Sequence, residues 1–431
     1  MKTKHEKHAV RKSLRFSVLD GSANSAMLGL TQNYITPLAL ELKATTGQVG
    51  LLSSIPALMM AVAQLAAPDL SERAGSRKGF ILPVVFGHAI MFIPILLVHY
   101  VFHDSPVWWL IGFVTVSSVL GAIVSPAWGS MMADLVPARL RGRYFSSRGR
   151  IIGFISLVTF FIAGLILQFY TDKNIFTGYS ILFGGATLFR LLSLYFLSRQ
   201  YEPKQAKEKE DSPGLIQLIK NLGSSNLGKF TLYVALIDLC TCISSPFFSV
   251  YMLRDLKFSY LHFVLVSSSG SVANLLFLTF WGRRADKAGN IKIVQLTSML
   301  LPLVPILWLA STNVYYLMAA NLFSGFVWSG YGLTAVNFLY DASKPEIRTK
   351  QIAIFNAVDM IACCVGALAG GYIAQHLPVF LGYQLRSLFT LSGVMRALVV
   401  IIFLRQIVEV RRVPEMNTWQ VITGRSNSDK R

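Results

Sequence analysis

The chain is short of charge, and of negative charge above all. Of its 431 residues only 14% are charged, and 21 Asp and Glu stand against 40 Lys and Arg, a formal net charge of +19. With 53% hydrophobic residues and a mean hydropathy of +0.53, soluble domains are excluded. Catalytic patterns are missing too: no Ser/His/Asp, paired-carboxylate or zinc constellation appears, which sets an enzyme aside. His99, His103 and Asp104 have metal-like spacing, but at a loop they read as solvated side chains. No metal and no cofactor is expected. Cysteines number four, and Cys240, Cys242, Cys363 and Cys364 all lie in hydrophobic stretches, where they read as small hydrophobes.

What is present in quantity is hydrophobic length. Twelve stretches of roughly 20 residues, each enough to cross about 30 Å of hydrocarbon, recur between residues 16 and 404. With no water to satisfy the backbone inside a bilayer, each must be a helix, since a barrel would show alternating strands of about ten residues. The positive charge is placed to match. Lys43, Lys173, Arg254, Lys257 and Arg386 fall on one side and Arg190 and Arg396 inside spans; all other Lys and Arg lie at the termini or in the loops after even-numbered spans. This bias places both termini in the cytoplasm of a multi-pass protein of the cell membrane. It accounts for the net charge without a nucleic-acid partner, because the basic residues form no continuous face.

Residues 1–15 read as a cytoplasmic tail rather than a signal peptide, because a full-length span containing Asp20 follows with no cleavage site. Residues 16–198 form a first six-helix bundle, 199–226 a polar linker carrying a short amphipathic helix, 227–405 a second six-helix bundle, and 406–431 a cytoplasmic tail. Gly223 to Lys229 misses a phosphate loop by one residue: Phe230 stands where Ser or Thr would hold magnesium.

The two bundles are copies of one another. Pro68-Asp-Leu-Ser-Glu72-Arg73-Ala-Gly75 and Gly282-Arg-Arg-Ala-Asp286-Lys287-Ala-Gly289 superimpose at an offset of 214 residues, and the same offset carries Glu41-Leu-Lys43 onto Asp255-Leu-Lys257. A similar offset carries Asp134 and Arg141 onto Asp341 and Arg348, and Arg190 onto Arg396. Repeats of this size in an apolar chain point to a transporter built of two halves.

On these residues the chain resembles the major facilitator superfamily over all twelve spans. The loop pattern G-x-x-x-D-[RK]-x-G-[RK]-[RK] occurs there after the second and eighth helices, matched here by Gly282, Asp286, Lys287 and Gly289, and with Glu72, Arg73 and Gly75 in the first copy. The resemblance implies an all-α membrane protein of twelve helices in two homologous bundles. It also implies a cytoplasmic gate in which Glu72 faces the start of the eleventh helix and Asp286 that of the fifth, with Asp134, Arg141, Asp341 and Arg348 at the neighbouring helix ends.

In that superfamily the first, fourth, seventh and tenth helices line a central cavity. The resemblance thus implies a substrate site among Asn24, Thr31, Tyr34, Trp128, Thr241, Ser245, Asn321, Ser324, Trp328 and Tyr331, with Asn356 of the eleventh helix. Helical spacing sets Asp20, Asn24, Thr31 and Tyr34 on one face. Hydroxyls and amides at such positions equally well bond between packed helices, at about 0.6 kcal/mol each. Carboxylates differ, costing roughly 2.5–3.5 kcal/mol to insert at a helix centre, so Asp238, Asp359 and Asp20 are the proton-coupling candidates. Arg190 and Arg396, on outer helices, are expected to snorkel or to brace the fold.

The expected function is secondary transport of a small solute by alternating access, coupled to protons, by a monomer. No basic residue stands in the central stretches of the first, fourth, seventh or tenth spans, which favours a neutral or cationic substrate. A uniporter, a drug/proton antiporter and a transport-dead sensor are the alternatives. The drug-exporter features of an arginine in the fourth helix and a Gly-Pro pair in the fifth are missing from 107–133 and 151–170.

Overall fold

Helices account for nearly all of the computed structural model, which describes residues 4–136, 141–202, 225–343 and 348–411, with Val413 and Gln420. In chain order they are α1 (Lys4–Thr31), α2 (Ile35–Glu41), α3 (Thr46–Arg73), α4 (Arg77–Ile90), α5 (Phe92–Val101), α6 (Pro106–Leu135), α7 (Arg141–Tyr170), α8 (Ile175–Ser198), α9 (Asn226–Ser244), α10 (Phe247–Val250), α11 (Tyr260–Ala288), α12 (Asn290–Leu300), α13 (Leu303–Leu307), α14 (Val314–Ala342), α15 (Arg348–His376) and α16 (Gln384–Phe403). Among the described residues the only β-pairing is an isolated bridge between Phe380 and Tyr383. The linker helix expected at 215–222 lies outside the described residues.

Four expected spans are broken in two, and prolines explain where. A proline inside a helix removes one backbone donor and crowds the preceding turn. Pro37 sits early in α2, Pro94 early in α5, Pro246 between α9 and α10, and Pro302 before α13, so the first, third, seventh and ninth spans are each interrupted beside a proline. Starts are capped in the usual way: Ser76 Oγ, Asn174 Oδ1, Ser225 Oγ and Asn313 Oδ1 each accept a backbone N–H of the first turn. Ser225, Gly228 and Lys229 thus open a helix, and Gly223 and Ser224 of the near-miss phosphate loop lie outside the described residues.

Ten of the described helical spans are long and apolar enough to cross a membrane. The two that fall short are α1 and α14, the spans richest in the polar positions singled out above, and their polarity lies inside the bundles rather than toward lipid.

The chain divides into two compact units, Met1–Glu208 with Met252–Val264, and Lys209–Tyr251 with Leu265–Arg431. In the first, α1 packs on α7 and α8, α3 on α6, and α4 on α6 and α8. In the second, α9 packs on α15 and α16, and α12 on α14, the same pairs one copy later. The repeat extends to strain: Lys43 and Lys257 both take positive φ, 62° and 52°, and Gly75 and Gly289 take φ of 66° and 88° in the two matching loops.

The stretch Met252–Val264 belongs to the first unit through a polar latch. Tyr260 donates to Glu41 Oε1 (2.7 Å) and shares a hydrogen bond with Tyr179 (2.9 Å). Leu261 N donates to Gln168 Oε1 (3.2 Å) and Arg254 Nη1 to Thr46 Oγ1 (2.9 Å).

Candidate functional site

In the first unit a cavity of about 490 Å³ opens among α1, α3, α4, α6, α7 and α8, lined by Asn24, Thr31, His88, Trp128, Arg148 and Arg190 with Asp20 at its edge. Arg190 reaches inward from α8 and is 5% exposed. Its Nη1 donates to Asn24 Oδ1 and to Ser193 Oγ (3.2 Å). Asp20 accepts from Ser193 Oγ (2.7 Å) and Gln200 Nε2 (3.3 Å) and lies within electrostatic reach of both Arg190 and Arg148. Arg148, from the start of α7, donates Nε to Ser17 O (3.2 Å) and sets its guanidinium carbon over the Trp128 ring, 4.5 Å from the centroid. A terminal nitrogen of Arg148 rests where a Cβ on Gly21 would collide with it, so that glycine lets the guanidinium cross α1. Three donor-capable atoms here are buried without a partner: Trp128 Nε1, His88 Nδ1 and Arg190 Nε.

Of its two expected roles Arg190 takes the second, bracing the fold rather than snorkelling, with bonds to Asn24 and Ser193 holding it inward. A different sequence expectation changes. The absence of basic residues from the first and fourth spans does not leave the cavity uncharged, because Arg148 and Arg190 enter it from the fifth and sixth. Neither arginine, nor His88 or Gly21, was among the sequence-derived candidates. Arg148 reads in the sequence as one more loop-end cation.

The second unit repeats the framework with different charges. Asp238 on α9 and Asp359 on α15 lie within hydrogen-bonding reach of each other, and Asp359 Oδ1 is enclosed with no hydrogen-bond partner. The hydroxyl of Tyr331, in electrostatic contact with Asp238, is likewise buried and unpartnered, while that of Tyr233, also near Asp238, lies beside Ser298. Arg396, 1% exposed, braces the cluster: Nη1 donates to Leu301 O (3.3 Å) and Nη2 to Ser244 Oγ (3.2 Å). The helices come this close because Gly366 and Gly370 of α15 press against the carbonyls of Leu239 and Ile243, where any side chain would clash. One turn beyond the carboxyls the same approach joins Cys242 to Cys363 in a disulfide, while Cys240 and Cys364 are free and buried. The reading of all four cysteines as small hydrophobes therefore fails for that pair, whose spacing across two helices no sequence period reveals.

Other candidates have structural partners. Tyr34 is fully buried, its hydroxyl donating to Phe160 O (2.6 Å). Thr31 and Thr241 bond the carbonyls of Met27 (2.9 Å) and Ile237 (2.8 Å) in their own helices. Asn321 Nδ2 ties α14 to Val266 O (2.6 Å). Ser245 is an exposed helix end, Ser324 and Asn356 are half-buried, and Trp328 meets Tyr331 edge to face at 5.5 Å.

At the loop ends, Gly282 is helical and Arg73, Asp286 and Lys287 are exposed. Asp341 accepts from Asn290 Nδ2 (2.7 Å) and faces Arg411 Nε at 3.7 Å. The side chains of Glu72, Asp134, Arg141 and Arg348 lie outside the described residues. A paired device stands beside these loops. Glu202 caps α4, accepting from Ser76 Oγ (2.7 Å) and Arg77 N (2.7 Å), and Glu409 caps α12, accepting from Ile291 N (2.8 Å).

The profile of the Major Facilitator Superfamily matches residues 21–240 and 230–422. The chain is 24% identical over 387 residues to the multidrug resistance protein MdtG of Proteus mirabilis, covering 86% of this chain and 89% of that one. Among solved structures, a nucleoside transporter NupG mutant superimposes with a TM-score of 0.72 at 12% identity, covering 90% of this chain and 99% of its own. A D-xylose–proton symporter does so at 0.69 and 15% identity, covering 94% and 97%.

Proposed function

The chain belongs to the major facilitator superfamily, and from that premise we propose that it is a proton-coupled secondary transporter working by alternating access, with Asp238 and Asp359 as the proton-carrying pair. It is a multi-pass membrane transporter and not an enzyme; the coupling is what the second unit's geometry supports. The observation that carries it is the carboxyl pair itself. Two carboxyl groups within hydrogen-bonding reach bond each other only when one holds a proton. Away from water, the doubly ionised pair is costly. Exchange of that shared proton with either side then accompanies movement of the site between its two faces.

Replacing either acid should separate coupling from binding. In proteoliposomes, Asp238→Asn and Asp359→Asn should lose accumulation driven by a proton gradient and keep solute exchange, which needs no net proton movement. If both variants still concentrate solute against its gradient, neither acid carries the coupling.

A second reading, drug efflux by proton antiport, is favoured by one observation, the likeness to a protein named for multidrug resistance. The two readings move protons in opposite directions relative to the solute. Both place the termini in the cytoplasm and the protein in the cell membrane as a monomer.

A further inference from the structure

Duplication has left the two halves with one framework and different charges. In the second unit α9 and α15 bring two carboxyls together, with Arg396 the cation beside Asp238. In the first, the corresponding helices α1 and α7 bring Asp20 together with a guanidinium, Arg148, and Arg190 occupies the place of Arg396. Counted as ions, Arg148, Arg190 and Asp20 leave a surplus of one positive charge.

The surplus can be assigned. Both oxygens of Asp20 are engaged by Ser193 and Gln200, and Arg190 is fixed to Asn24 and Ser193 on the Asp20 side. Arg148 donates its Nε to the Ser17 carbonyl, and its side chain lines the cavity. Arg148 is half-buried, so its solvation is incomplete, and a bound anion would offset that cost. Beneath it, Trp128 offers an aromatic face and a buried indole N–H with no acceptor.

We propose that the cavity of the first unit binds an organic monoanion, its acidic oxygens forked by Arg148 and bonded by Trp128 Nε1, with the remainder of the solute against the apolar walls. The inference rests on the reading of the chain as a solute transporter and names the class of its substrate. It replaces the expectation of a neutral or cationic one. A guanidinium fork suits both carboxylate and phosphate, the shared chemistry being two or three acidic oxygens in one plane or cone. The cavity is of a size that holds metabolite- to drug-sized ligands.

The test is thermal stabilisation of the purified full-length protein by organic acids, each paired with its amide and with an amine of the same skeleton, beginning with benzoate, benzamide, benzylamine and phenyl phosphate. Acids should stabilise while their amides and amines do not, and the carboxylate and phosphate arms decide which acidic group is preferred. Binding should weaken at least about tenfold in Arg148→Gln, with partial recovery in Arg148→Lys, which keeps the charge and loses the fork. Should the arginine variants not fold, Trp128→Phe keeps the ring, loses the donor, and should still weaken acid binding. A panel in which only neutral or cationic solutes stabilise, in which nothing stabilises, or in which acids bind the variants as tightly as the unmodified protein overturns the proposal. Flux in proteoliposomes keeps the two readings apart. A transported neutral solute overturns the anion site and leaves the transporter; an acid that binds through Arg148 but is never carried does the reverse.

Discussion

Charged side chains inside a helix were conspicuous in the sequence, yet their partners were not. Rarity alone marked Asp20, Asp238 and Asp359, because an acid in hydrocarbon demands a reason. Their meaning differs with their neighbours: Asp20 is saturated by Ser193 and Gln200, whereas Asp359 keeps an unpartnered oxygen. In the sequence Arg148 sits among loop cations, and only the bare backbone of Gly21 shows where it goes. Gly21→Leu should therefore displace Arg148 and abolish acid binding as Arg148→Gln does, read as loss of thermal stabilisation by benzoate in a protein of unchanged elution volume. The loop glycines allow a graded test. Gly75 and Gly289 both have positive φ, but a Cβ meets nothing at Gly75 and lies 2.6 Å from Glu409 Oε2 at Gly289. Gly75→Ala should cost about 1–2 kcal/mol from the backbone alone. Gly289→Ala should cost more, about 2–4 kcal/mol, because the α12 cap is pushed aside as well, and the order of the two melting temperatures checks it.

Among the elements, hydrophobic length gave the spans and proline gave their breaks only in hindsight. Pro37, Pro94, Pro246 and Pro302 were visible, but a proline near a helix end is tolerated or disruptive according to what replaces its lost bond. Neither the pairing of α9 with α15 nor its closeness was legible in the sequence. Gly366 and Gly370 decide the closeness, and they bring the carboxyl pair and the Cys242–Cys363 disulfide into register one turn apart. A maleimide–polyethylene glycol assay on unfolded protein should add two labels before reduction and four after it, reporting Cys240 and Cys364 as the free thiols. Four labels before reduction would show the bridge unformed.

At the level of the molecule, the repeat was read from two loops, and it extends to helix pairing, to the left-handed lysines Lys43 and Lys257, and to the Glu202 and Glu409 caps. What the sequence hid is the divergence between copies: one cluster with surplus positive charge, one with paired acids. The charge bias predicts an orientation with both termini inside. A cysteine at exposed Lys43 should react with an impermeant reagent from outside intact cells and one at exposed Arg283 should not; the reverse pattern would invert the topology. Solute and proton are proposed to cross together through this duplicated framework. This joint crossing is tested most directly by the internal pH of proteoliposomes holding a pH-sensitive dye, when an acid that stabilises the protein is added outside with no gradient imposed. Symport predicts internal acidification in the unmodified protein, beyond that of protein-free vesicles, and none in Asp359→Asn. Alkalinisation would indicate antiport, and entry of the labelled solute with no change in pH would contradict proton coupling altogether.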